Sequence, residues 1–185
     1  MIIKPLSKDN IEETIRLLHS IFTEDVSVGE PPSDALRASL EPQKYQTFLK
    51  KWGIKTIEYF IVLDKYKSVV GTTGLYTLNQ DAQNTVWLGW YCIAPAKRGK
   101  GFGSMLLQWT IDEARSRGFE IMKLYTSDSP METDSSAARI RKVWIQNYRS
   151  RETQFDTQIY NYLQETRHIK KWFWAYHFCR YFSTT

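Results

Sequence analysis

The chain has 185 residues, a formal net charge of +5, three histidines and two cysteines. That length suits one domain with an ordinary core, while Cys92 and Cys179 are too few for a disulfide framework and the scattered histidines carry no metal-ligand spacing. No apolar stretch reaches membrane-spanning length and Met1-Ile2-Ile3-Lys4-Pro5 does not read as a secretory leader, so the expected compartment is the cytoplasm, with no membrane partner.

Residues 2–6 read as a short first strand, ended by Pro5 and Ser7. Ser7 is the expected cap of a helix whose Ile11, Ile15, Leu18 and Phe22 recur at helical spacing, with Asp9, Glu12 and Glu13 near its favourable end. Residues 28–33, rich in glycine and proline, are a loop. A second helical stretch runs from residue 34 to about 50, broken near Pro42. Residues 56–63 and 68–78 read as strands around the turn Asp64-Lys65-Tyr66-Lys67, and residues 79–84 form a polar turn into a third long strand, 85–93. This last run is β-branched and aromatic. Its Trp87, Trp90 and Tyr91 are expected in the core and along a substrate wall, since adjacent strand positions face opposite sides. Cys92 on the same strand reads as a small buried hydrophobe.

Beyond it, Leu106, Leu107, Thr110, Ile111 and Ala114 repeat at helical spacing. Gly118 is placed to end that helix, and residues 120–126 make another strand. Residues 136–148 read as a helix with Ala137, Ile140, Trp144 and Tyr148 on one face, and Phe155, Thr157 and Ile159 alternate as in a closing strand. The expected organisation is a domain over residues 1–165 and a basic, aromatic tail over 166–185. Residues 135–185 hold nine Lys and Arg against three Asp and Glu, with 12 of the 27 aromatics. The tail reads as a last element packed on the sheet or on a second copy of the chain, as an interfacial or partner-groove segment, or as an altered end of the domain. No recognition motif accompanies its charge, so nucleic acid is not an expected partner.

The most informative stretch joins the strand at 85–93 to the helix after it. Ile93, Pro95, Lys97 and Arg98 lead into glycines at the alternate positions Gly99, Gly101 and Gly103. Without Cβ atoms there, backbone can approach a ligand closely. The first amides of the new helix have no intrahelical partner and stand at the positive end of its dipole. Such a terminus, flanked by Lys97, Arg98 and Lys100, suits a phosphate group. A Walker A loop is excluded because Lys100 is followed by Gly101 rather than Ser or Thr. A Rossmann fingerprint is excluded because no third glycine stands at the required spacing.

What remains is Arg98-x-x-Gly101-x-Gly103, preceded by Ile93-x-Pro95. It resembles the acetyl-CoA-binding motif of the GCN5-related N-acetyltransferase (GNAT) superfamily, in which V-x-P-x-x-R-G-K-G-x-G is a common form. Ser68-Val69-Val70-Gly71 is similar to the family's entry to its third strand. The resemblance covers about residues 1–128. It implies an α/β fold with a mixed, mostly antiparallel central sheet of six to seven strands, flanked by helices and splayed between strands 4 and 5.

It also implies acetyl-CoA as co-substrate, no metal, and transfer of acetyl to a primary amine on a small molecule or peptide by direct attack on the thioester. The diphosphate would lie on amides of Arg98, Gly99, Lys100, Gly101, Phe102, Gly103 and Ser104, with charge from Arg98 and Lys100. The backbone of Cys92 and Ile93 would bond the pantetheine arm and face the developing oxyanion. Where many relatives carry a strand glutamate this chain has Gly89, Trp90 and Tyr91. Glu58, Asp128 or a water chain are therefore the candidate bases. Tyr148 is the candidate acid for the departing thiolate, although no Gly-Phe follows its helix. A homodimer is a further expectation of such folds. The competing reading is an acyl-CoA-binding domain without catalysis.

Overall fold

Two ten-residue runs, IKTIEYFIVL and VVGTTGLYTL, form the centre of the sheet: the second is buried at every position but Thr77, and the first is buried from Tyr59 to Leu63. In the computed structural model the described residues are 2–22, 31–124 and 178–181. Along the chain these are β1 (Ile2–Pro5), α1 (Ile11–Ile21), α2 (Pro32–Leu40), α3 (Gln46–Trp52), β2 (Ile54–Leu63), β3 (Val69–Leu78), β4 (Thr85–Ile93), a 3₁₀ turn (Pro95–Lys97), α4 (Phe102–Ser116), β5 (Ile121–Leu124) and β6 (Phe178–Tyr181).

The sheet is mixed and mostly antiparallel. β1 to β5 lie in chain order, each antiparallel to its neighbour except that β4 and β5 run parallel, from Thr85 opposite Ile121 to Leu88 opposite Leu124. The α4 crossover is what allows that parallel step. Phe178–Tyr181 pairs antiparallel with β5. The predicted helix at 136–148, the closing strand expected around Phe155, Thr157 and Ile159, and residues 125–126 of the strand predicted at 120–126 lie outside the described residues.

Helices cover both faces. Ile11, Ile15 and Leu18 of α1 and Ala35 and Leu36 of α2 pack with Tyr59, Ile61 and Cys92. On the other face Leu106, Leu107, Ile111 and Ala114 of α4 pack against Val62, Leu75, Leu88, Ile93 and Met122. Gly118, at φ +83, ends α4 as expected: Phe119 N donates to Ala114 O at 3.1 Å and Gly118 N to Arg115 O at 2.9 Å.

Two expectations at helix starts are corrected. Ser7 does not cap α1, which begins at Ile11 with no side-chain cap. Ser7 is instead closed against Asn10, its N–H donating to Asn10 Oδ1 at 3.0 Å and its Oγ accepting from Asn10 Nδ2 at 2.7 Å. α2 starts at Pro32 rather than residue 34, because proline is preorganised for the first helical position and its missing N–H is not needed there. The break near Pro42 is present, with α2 ending at Leu40 and α3 starting at Gln46.

Candidate functional site

The site is built from the end of β4, the turn after it and the first turn of α4. Along β4 the faces run in a broken alternation. Trp87 packs with Tyr76 and Ile54, Leu88 with the α4 core, and Gly89 lies under the Tyr59 ring on the α1 side. Trp90 then also packs on the α1 side, Tyr91 on the α4 side, Cys92 on the α1 side and Ile93 on the α4 side. One extra residue has been inserted. The ladder records it: Gly74 is opposite Gly89 and Thr72 opposite Cys92, so Thr73 faces both Trp90 and Tyr91. This is a β-bulge. Its strain falls on Trp90, whose φ of +31° is rare for a large side chain.

The bulge determines what the end of β4 presents. It turns Tyr91 onto the α4 face, where its hydroxyl donates to Gly103 O at 2.6 Å. Under strict alternation from Leu88, Tyr91 would face α1. Burial holds the Tyr91 phenol well above its ordinary pKa, so it stays protonated and keeps donating. Trp90 turns towards the end of α1 and meets Phe22 edge-on, with ring centroids 5.1 Å apart. Cys92 is buried, and burial pushes its thiol up to about 12, which suits the packing role expected of it.

The turn itself is tightly bonded up to Arg98 and open after it. Lys97 N donates to Ala94 O at 2.8 Å and Arg98 N to Pro95 O at 3.1 Å. Gly99 and Gly101 both take left-handed conformations, at φ +77 and +80, and a Cβ on either would meet nothing within 4 Å. Conformation therefore calls for glycine at these two positions, and among the described residues nothing occupies the space a Cβ would take. Gly101 is the N-cap of α4 and no side chain caps the helix. Met105 N bonds Gly101 O at 3.0 Å, so the amides of Phe102, Gly103 and Ser104 are left without an intrahelical carbonyl. Those donors stand at the positive end of the helix, where an anionic group such as a phosphate is favoured.

The three basic side chains of the turn are held in different ways. Arg98 folds back so that Nε donates to Ile93 O at 3.0 Å, bracing the strand end. Lys97 pairs with Asp64 at 2.9 Å. Lys100 has no ion pair among the described residues. Glu58 is not brought to the loop. Its carboxylate pairs with Arg117 at 2.5 Å, beyond the C-terminal end of α4, a helix roughly 22 Å long. Tyr148 and Asp128 lie outside the described residues, and no cluster of three or more His, Cys, Asp or Glu that could hold a metal occurs among the described ones. Among those residues, too, no helix is long and apolar enough to cross a membrane.

A model of the acetyltransferase (GNAT) family matches residues 18–133, well over half of the chain. The chain belongs to the GNAT acetyltransferase family. Acetyl-CoA-dependent acetylation of amines is general to that family. No curated protein matches the chain. Among solved structures it is similar to an acetyltransferase of the GNAT family from Staphylococcus aureus Mu50, at 14% identity and TM-score 0.59, covering 98% of this chain and 99% of that one. It is also similar to the ribosomal-protein-alanine N-acetyltransferase of Brucella melitensis, at 14% identity and TM-score 0.58, with 97% of each chain covered. An N-acetyltransferase from Staphylococcus aureus Mu50 is likewise similar, at 18% identity and TM-score 0.58, over 96% of this chain and 95% of that one. At these identities the likeness to the solved structures is one of fold.

Proposed function

We propose that this GNAT protein is an acetyl-CoA-dependent N-acetyltransferase that moves acetyl to a primary amine by direct attack on the thioester. The observation that carries the reading is the pairing of a bulged β4 with an uncapped α4 whose entry glycines leave open space. The amides of Gly99 through Ser104 would hold the diphosphate, with Lys100, which has no ion pair among the described residues, adding positive charge. The ladder skips Trp90 and Tyr91, so backbone groups at the end of β4 are available to the pantetheine arm and to the oxygen that gains charge on attack.

Two proton movements complete the reaction. The acceptor ammonium, with a free pKa near 10, must lose a proton before attack, and the leaving thiolate must gain one. Since β4 carries no carboxylate at Gly89, Trp90 or Tyr91, the candidates for taking the first proton are Glu58, Asp128 or a water chain with no single base. Tyr148 is the candidate donor to sulfur. Trp90 and Phe22 form an aromatic wall beside the bulge, which favours an acceptor with an apolar or planar part next to its amine.

The same missing β4 carboxylate, together with the Glu58 to Arg117 pair, favours a second reading: a domain that binds acyl-CoA without turnover. The deciding experiment measures free thiol released from acetyl-CoA with a panel of amines, beside calorimetric binding of the coenzyme. Thiol release with at least one amine supports the transferase. Saturable binding with no release for any amine supports the second reading, and no binding rejects both.

A further inference from the structure

Three side-chain contacts hold the coenzyme loop in place before any ligand arrives. Two of them, Tyr91 to Gly103 O and Arg98 to Ile93 O, join the loop to its own strand. The third comes from another hairpin. Asp64, directly after β2, accepts from Tyr66 N at 2.9 Å and Ser68 N at 3.1 Å through Oδ1, closing the turn in which Lys67 has φ +65. Its other oxygen, Oδ2, accepts from Lys97 Nζ at 2.9 Å. The pair is largely shielded, with side-chain exposures of 15% for Asp64 and 32% for Lys97. Beside it, Ala94 N donates to Val70 O at 2.8 Å, so the β2–β3 hairpin grips the 3₁₀ turn through both main chain and side chain.

We infer that Asp64 is a positioning residue for coenzyme binding: through Lys97 it fixes the turn from which Gly99–Ser104 present their amides, and it withdraws Lys97 from direct attraction of the phosphates. The inference rests on the coenzyme reading above. It reverses the sign expected from charge alone. A carboxylate close to an anion site opposes the anion, so neutralising it should tighten binding if only the field mattered. If Asp64 orients the loop, neutralising it weakens binding although the loop becomes one unit more positive.

Asp64→Asn is the cleanest probe, because a side-chain amide oxygen still accepts from the two turn amides while the charged contact to Lys97 is lost. Calorimetric titration of the full-length chain with coenzyme A compares the natural protein, Asp64→Asn, Lys97→Met and the double variant. Asp64→Asn is expected to raise Kd about fivefold, the scale of one ordered ion pair. Lys97→Met should do the same, and the double variant should be no worse than Lys97→Met alone, since both singles remove one contact. An unchanged or lower Kd for Asp64→Asn overturns the inference, as do effects that multiply in the double variant. Should Asp64→Asn not fold, Asp64→Ser, whose hydroxyl also accepts from the turn, carries the same comparison. Absence of saturable binding by the natural protein is a different failure, that of the coenzyme reading itself, and it takes this inference with it.

Discussion

Gly101 and Gly53 allow the proposed coenzyme role of the loop to be separated from its backbone strain. Both are left-handed, at φ +80 and +64, and a Cβ on either meets no atom within 4 Å. Gly53 is the C-cap of α3, remote in sequence and in element from the loop. Alanine at either position pays the left-handed penalty of about 1–2 kcal/mol. Reduced freedom of the unfolded chain returns roughly 0.4–1 kcal/mol of that, leaving a net loss near 1 kcal/mol for each. In a chain of this size such a loss lowers Tm by about 2–4 °C. Gly101→Ala and Gly53→Ala should therefore look alike in thermal unfolding without ligand. They should part on adding coenzyme A. A methyl at Gly101 projects into the space through which the diphosphate approaches the amides, so Kd should rise by at least about tenfold, or 1.4 kcal/mol. Gly53→Ala should bind as the natural chain does. Equal coenzyme affinity in the two variants, measured by calorimetry, would refute the placement of the diphosphate.

Three further outcomes follow from the packing and the site. Gly74→Ala would set a Cβ 2.4 Å from Tyr59 Cε1 in the middle of the sheet, so urea unfolding should show about 1–3 kcal/mol of destabilisation or more. Cys92, with its folded thiol pushed up to about 12 from 9.0, stabilises the fold fully below pH 9, and that contribution is lost as pH rises towards 12. Urea midpoints should therefore fall less steeply from pH 8 to pH 10.5 in Cys92→Ala than in the natural chain; parallel slopes contradict the buried thiol. If Tyr148 protonates the thiolate, Tyr148→Phe lowers kcat by about 10²-fold with little change in coenzyme Kd, and full turnover rejects that role.

Much of this was legible from residues alone, for identifiable reasons. The strands around Asp64 to Lys67 and the break near Pro42 depend on local pattern and on proline, both of which act within a few residues. The loop was readable because Gly99 and Gly101 occupy left-handed conformations that few other residues tolerate. The bulge was not readable. Counting alternate positions along β4 assumes an unbroken period of two, and nothing in Gly89-Trp90-Tyr91 says which residue is the extra one. A large aromatic at positive φ is in fact the last place to expect it. The partners of the loop's cations were hidden for another reason. Asp64 and Lys97 are 33 residues apart and meet only because β3 lies between β2 and β4. The Nε contact of Arg98 to Ile93 O, at the buried end of the strand, depends on how the turn folds back and was not legible in the residues.

The most direct test of the central claim is a crystal structure of the full chain with acetyl-CoA bound. The account predicts diphosphate oxygens about 2.7–3.2 Å from amide nitrogens within Gly99–Ser104, and the thioester beside Trp90 and Tyr91 at the β4 bulge. A coenzyme held elsewhere, or a diphosphate gripped by side chains with those amides facing water, would contradict it.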